Sequence, residues 1–132
     1  MPRQLISSNT PWEAMAGYSR AVRVGDVVYV AGTSAADAAG NIQHPGDAAA
    51  QTLYILHKIE AALAEAGAAL ADVVRTRIFV RDIADWEAVA RAHGSVFGAV
   101  RPANTLVRAE PINPQMLVEI EVDAVITERV KG

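Results

Sequence analysis

The clearest pattern in the chain is the strict alternation of apolar and polar positions between residues 116 and 126. One set of positions is entirely apolar: Met116, Val118, Ile120, Val122, Ala124 and Ile126. The set between them includes three carboxylates, Glu119, Glu121 and Asp123. A period of two is typical of a β-strand with one buried face. The pattern therefore predicts a strand whose apolar face is covered by helices.

Two segments show the three- and four-residue spacing of amphipathic helices. The first is predicted to begin after an N-cap at Asp47 and to end near Gly67, with a core-facing stripe of Leu53, Leu56, Ile59 and Leu63. The second is predicted to begin after a cap at Asp85. Its apolar face consists of Trp86, Val89, Ala90, His93, Val96 and Phe97.

Alternating or β-rich runs predict six strands, at 4–7, 18–24, 27–33, 73–82, 104–110 and 116–127. Gly25-Asp26 separates the second and third runs and is typical of a tight hairpin turn. The order is strands, helix, strand, helix, two strands. It predicts an α+β fold, with a single mixed sheet of about six strands and two helices packed on one face.

The second face of this sheet is predicted to carry matched charges. The three carboxylates repel one another unless they are solvated or paired with cations. Candidate cations are Arg75, Arg77 and Arg81 on the strand at 73–82, with Arg108 on the next strand. We consider two readings: a polar face enclosed by a neighbouring subunit, or a solvated outer face with ion pairs of little energetic value.

Composition narrows the function classes. A chain of 132 residues is expected to form one domain over 1–132. The net charge of −3 and pI near 5.5 disfavour nucleic acid as a partner, because phosphate binding requires clustered cations. Cysteine is absent, which excludes disulfides and thiolate chemistry.

Targeting and metal signals are also missing. The N-terminus has no apolar h-region, and no run approaches 18 apolar residues, so we expect no membrane association and a cytoplasmic location. The three histidines, His44, His57 and His93, have no metal-ligand spacing. We expect neither a metal nor a cofactor.

Three segments carry a family resemblance: GYSRAVRVGDVVYVAGT at 17–33, VVRTRIFVRDIADW at 73–86 and FGAVRPANTLVRAEPINPQMLVEIEVDAVI at 97–126. Their order and spacing resemble the Rid (YjgF-type) reactive-intermediate deaminase family. The resemblance implies a chorismate-mutase-like α+β fold and a homotrimer. It also implies three ligand clefts, one at each subunit interface.

The resemblance also implies site residues. Tyr18 matches a tyrosine that lines the cleft, Gly32 a glycine whose backbone faces the ligand, and Glu119 the carboxylate that positions the attacking water. Asn104 stands where imine-hydrolysing members have an arginine fifteen residues before that Glu, and Thr105 follows it. Ala90 stands in place of a cleft asparagine. We include Asn104 and Thr105 among the substrate-binding residues.

The chemistry of imine hydrolysis gives the Asn104 substitution a consequence. The reaction needs a water, a group that accepts its proton and a clamp on the substrate. Arginine offers a charged bidentate fork to a carboxylate, whereas asparagine offers one neutral donor. Charge-assisted bonds contribute roughly 1.5–3 kcal/mol, so selection for a carboxylate would fall about ten- to a hundredfold. Arg20, two residues after Tyr18, is a candidate replacement for the clamp, and a surface or interface ion pair is its alternative role.

These observations predict a divergent Rid-family protein that hydrolyses an imine, an enamine or a related C–N bond of a small metabolite. Activity on 2-aminoacrylate-type substrates is expected to be altered or reduced. One alternative is a non-catalytic trimer that binds a small metabolite in the same cleft. A third reading, an endoribonuclease or translation inhibitor, is disfavoured by the acidic pI and the lack of a basic-aromatic stripe.

Overall fold

A six-stranded mixed sheet forms the framework of the protein, in a computed structural model that describes residues 2–127. The strands are β1 (Arg3–Ile6), β2 (Ala21–Val24), β3 (Val27–Thr33), β4 (Val73–Val80), β5 (Ala103–Arg108) and β6 (Val118–Val125). They lie in the order β1-β2-β3-β6-β4-β5, and every neighbouring pair is antiparallel except β4 and β5. The predicted mixed sheet is confirmed.

Three α-helices accompany the sheet: α1 (Pro11–Ala16), α2 (Ala48–Glu65) and α3 (Trp86–Phe97). The two main helices, α2 and α3, were predicted, and α1 was not. The Asp47 side chain caps α2 as expected, accepting a hydrogen bond of 3.0 Å from the Ala50 amide. Within residues 2–127, none of the helices has the length and apolarity needed to cross a membrane.

The expected cap at Asp85 is wrong. Its side chain makes no cap hydrogen bond, and Asp82 instead accepts one of 2.9 Å from the Ala84 amide. The cause is a turn of 3-10 helix, Ile83–Asp85, that leads into α3 without an extended residue between them. The side-chain cap therefore falls at the start of that turn.

The core lies between the sheet and α2. The apolar positions of β6, from Val118 to Ala124, are fully buried, which confirms the alternation. Leu53 was predicted to face the core but is 47% exposed. Thr52 is buried instead, and its hydroxyl donates 2.8 Å to the Ala48 carbonyl, so the helix itself satisfies the polar group.

On the other face, only part of the expected ion pairing is present. The Nη1 atom of Arg77 lies 3.3 Å from a carboxylate oxygen of Glu121 and 3.3 Å from one of Asp123. Arg81 does not reach the carboxylates; its guanidinium donates to the backbone carbonyls of Pro111, Asn113 and Met116. The residue 109–117 loop is thereby held against the end of β4.

Candidate active site

A pocket of about 410 Å³ opens at one end of the sheet. It lies among α1, the turn before β2, the end of β3 with the loop that follows, α2, and the 109–117 loop. Its volume falls in the range of pockets that bind small metabolites. Three of the residues expected at the site, Tyr18, Gly32 and Glu119, line it together.

Glu119 and Gly32 lie on the adjacent strands β6 and β3, where the pairing register shifts between Val30 and Thr33. A Cβ atom on residue 32 would stand 2.9 Å from Oε1 of Glu119, so the carboxylate occupies the space that a side chain would fill. Burial raises the pKa of Glu119; the nearby Arg20 charge opposes this rise, and Glu121 adds to it.

Tyr18 and Arg20 enter the pocket from the turn between α1 and β2. This segment was predicted to be strand, but β2 begins at Ala21. Gly17, with a φ of 73°, ends α1 in the left-handed conformation and turns the chain towards the sheet. Arg20 then donates from Nη2 to the Gly32 carbonyl at 2.5 Å, which joins this turn to β3.

Lys58 of α2 is a pocket residue that the sequence analysis missed. Its Nζ donates to the Ser34 carbonyl at 2.7 Å and to the Ala36 carbonyl at 2.8 Å. Burial is the largest cause that lowers the pKa of Lys58, to about 8, and repulsion from the Arg20 charge is the next. The negative charge of Asp37 acts in the opposite direction and raises the pKa. One signal was available: Lys58 lies three residues after the buried Ile55, at the border of the core stripe.

Apolar side chains cover much of the remaining wall. They are Trp12 and Met15 of α1, Tyr54 of α2, and Ile112 and Met116 of the 109–117 loop. The buried Glu13 fixes the start of α1 by accepting hydrogen bonds from the Ser8 amide and hydroxyl and from the Thr10 hydroxyl. The pocket thus offers an apolar space beside two carboxylates, Asp37 and Glu119, and two cations, Arg20 and Lys58.

Asn104 and Thr105 do not line this pocket. Asn104 lies on β5, where its Nδ2 donates 2.8 Å to the Thr76 hydroxyl. That hydroxyl is in turn 2.9 Å from Nε2 of His93 on α3. The burial of Thr76 places Asn104, its partner across the strands, on the helix-covered face. The alternation of a strand therefore places Thr105 on the opposite face.

The strand order also separates Asn104 from Glu119 within one subunit. Glu119 pairs with Phe79 of β4, which pairs with Val107 of β5, three residues beyond Asn104. Spacings of about 4.8 Å between strands and 3.3 Å per residue give roughly 14 Å between the two Cα atoms. A small metabolite cannot contact both side chains in the same subunit. Ala90, on α3, is likewise outside the pocket lining.

Known proteins match this chain in fold and over nearly its whole length. The family described as Endoribonuclease L-PSP matches residues 8–126. The chain belongs to this family. A family member from Mycobacterium tuberculosis, described as part of the highly conserved YjgF/YER057c/UK114 family, is 47% identical in sequence. Its crystal structure superposes with a TM-score of 0.84, covering 95% of this chain and all of that one.

Two other relatives cover nearly the same length. The 3-aminoacrylate deaminase RutC of Acinetobacter baylyi is 36% identical over 120 residues, which span 91% of this chain and 95% of that protein. A Yersinia pestis protein of the conserved Rid family is 29% identical, with a TM-score of 0.82, covering 95% of this chain and all of that one. Members of the Endoribonuclease L-PSP family thus include an enamine deaminase.

Proposed function

We propose that this protein hydrolyses the C=N bond of a small imine, or of the imine tautomer of an enamine, with Glu119 as the general base. The proposal rests on the environment of the Glu119 side chain. The carboxylate lies in the pocket, its pKa is raised by burial, and no hydrogen bond from residues 2–127 occupies its oxygens. A carboxylate in this condition is free to orient a water and to accept its proton.

The reaction would proceed in two stages. Glu119 takes a proton from water as the water oxygen bonds to the imine carbon, and passes that proton to the imine nitrogen, which gives a neutral carbinolamine. Glu119 then takes the hydroxyl proton of the carbinolamine as the carbonyl forms and the C–N bond breaks, and this proton leaves with the nitrogen as ammonia. Water and imine are consumed, and a carbonyl compound and ammonia are released, without an added cofactor.

A relative named as a 3-aminoacrylate deaminase supports an enamine or imine of a small metabolite as the substrate class. We further propose that activity on 2-aminoacrylate-type imines is reduced. Asn104 supplies no charge at the position where the family resemblance places the arginine clamp. We place the working site at a subunit interface of a homotrimer, as the family resemblance implies; within one subunit Asn104 lies too far from Glu119 for a small metabolite to contact both.

The test is a coupled assay in which a dehydratase generates 2-aminoacrylate and keto-acid release is followed. Wild type is expected to accelerate release far less than an arginine-bearing relative, and Asn104→Arg to raise the rate. Arg91→Gln, on an exposed face of α3, is the control for changed charge. Wild-type turnover equal to that of the relative would refute the reduced activity.

A non-catalytic metabolite-binding protein is the second candidate. The observation that favours it is that Asn104 does not line the pocket of its own subunit and that its amide is bonded to Thr76. Binding of carbonyl products with no hydrolysis of any imine in a panel, in wild type and Glu119→Gln alike, would select this candidate. RNA cleavage is disfavoured by the net charge of −3.

A further inference from the structure

Two cations share the wall of the pocket without a carboxylate partner. Arg20 and Lys58 both line it, and within residues 2–127 neither has an acidic group within 4.0 Å. Their hydrogen bonds go to the backbone carbonyls of Gly32, Ser34 and Ala36. A carbonyl oxygen orients a cation but does not neutralise it. Glu119 and Asp37 act on these charges from nearby, but neither forms an ion pair with Arg20 or Lys58.

The two acidic groups of the pocket do not pair with these cations. Asp37 accepts hydrogen bonds from the amides of Ala39 and Asn41 and from the Gln43 side chain, so it closes its own loop. Glu119 is directed at the space beside Gly32. Neither forms an ion pair with the cations, and both cations retain capacity for a ligand.

That capacity can be assigned to specific atoms. The Nε atom of Arg20 is buried and has no hydrogen-bond partner in the described part of the chain. A buried donor without an acceptor is unfavourable, so a rotation of the guanidinium towards an anion in the pocket would be favoured. Two of the three donors on Lys58 are used by carbonyls, which leaves one for the same anion.

We propose that Arg20 and Lys58 form an anion subsite that binds the carboxylate of the substrate in the same subunit as Glu119. The role of this subsite in catalysis rests on the proposed function, whereas its binding of a carboxylate does not. A carboxylate held here contacts side chains of the pocket wall in place of an arginine at position 104, so preference for a carboxylate is retained.

Calorimetry with pyruvate and pyruvamide tests the subsite, because the two differ in charge but hardly in shape. Wild type is expected to prefer pyruvate at least tenfold. Arg20→Gln and Lys58→Met should each weaken pyruvate binding about ten- to a hundredfold and leave pyruvamide binding unchanged. Lys58→Arg should retain the preference, as should the charge control Arg91→Gln. Inorganic phosphate, as a third probe, should bind more weakly than pyruvate; tighter phosphate binding would overturn the assignment to a carboxylate.

The results that would contradict the subsite differ from the result that would contradict the proposed reaction. Equal wild-type binding of the two probes, or a preference that survives Arg20→Gln and Lys58→Met, would overturn the subsite. So would a change of oligomeric state in Arg20→Gln with unchanged pyruvate binding, since Arg20 would then serve a subunit contact. A pyruvate preference without hydrolysis of any imine leaves the subsite standing and refutes the proposed reaction instead.

Discussion

Gly32 and Glu119 are so close that a single added methyl group on residue 32 would lie 2.9 Å from the carboxylate. The two residues lie on the adjacent strands β3 and β6, beside the register shift that follows Val30. The position of the candidate general base is thus set by a missing side chain on the neighbouring strand. The residue type at position 32 thus limits the positions that the Glu119 side chain can adopt.

Gly32→Ala is therefore expected to displace Glu119 without unfolding the protein. The atom in conflict is the far end of a flexible side chain, and stability should change by no more than about 1 kcal/mol. Imine hydrolysis should fall about a hundredfold, the effect of a 1 Å misplacement of a reacting group. Gly94→Ala, at a helix position with open space, is the control. Full activity in Gly32→Ala would contradict the assigned geometry.

Glu119→Gln is expected to lower kcat by about 10²- to 10⁴-fold, because an amide cannot accept the proton of the attacking water. Binding of the carbonyl product should persist, since the rest of the pocket is unchanged. Steady-state kinetics with product calorimetry separate the two effects. Glu87→Gln, which removes an exposed carboxylate of α3, should leave kcat unaltered. Loss of binding without loss of kcat would show that Glu119 holds the ligand instead.

The pH profile should report the burial of Glu119. Its pKa is raised above the ordinary value of 4.5, and only the ionised form is a base. As pH falls, kcat/KM should decline through this raised pKa, and so at a higher pH than for an exposed glutamate. Arg20 and Glu121 are the charged groups that act on it. An acid limb at or below 4.5 would show that burial does not perturb this group in the working enzyme.

Thr76→Val should destabilise the fold by about 1–3 kcal/mol, because it leaves the Asn104 amide and the His93 ring without their common partner. Burial lowers the pKa of His93, so its protonation does not replace the lost bond at neutral pH. Denaturant unfolding measures the change. The control is Ser95→Ala, which removes an exposed hydroxyl of α3 and should change stability by no more than about 0.5 kcal/mol. Equal costs for the two variants would contradict the role given to Thr76.

Sedimentation is expected to show a trimer. Within residues 2–127, the two main helices leave uncovered the face of the sheet that carries Arg77 and its two carboxylates, and a partly exposed pair of this kind stabilises little. Tyr29, 52% exposed, and Val107, 43% exposed, add apolar surface there. A monomer that persists at high protein concentration would rule out the enclosed face.

The elements that could be predicted from sequence are those with local signals. The alternation around Glu119 and the cap at Asp47 depend on residues close together in the chain, and both are confirmed. Leu53 was misplaced because periodicity locates an apolar stripe only to within about one residue. Helix α1 was missed because six residues are too few to establish a period.

The residues of the candidate site were predicted only in part. Tyr18, Gly32 and Glu119, which the family resemblance placed together, share the pocket. The positions of Asn104 and Lys58 depend on features that no local pattern contains: β4 lies between β5 and β6, and the ammonium reaches carbonyls more than twenty residues away. The distances between these residues depend on the order of the strands in the sheet, and the whole chain determines that order.

Arg81 holds the 109–117 loop through three backbone carbonyls, and every residue type possesses a carbonyl. The attachment therefore places little demand on which side chains occupy the loop. Ile112, which the loop presents to the pocket and which is 85% exposed, can vary in size and polarity while the tether remains. This loop can therefore change the shape and polarity of one pocket wall without altering the sheet or Glu119.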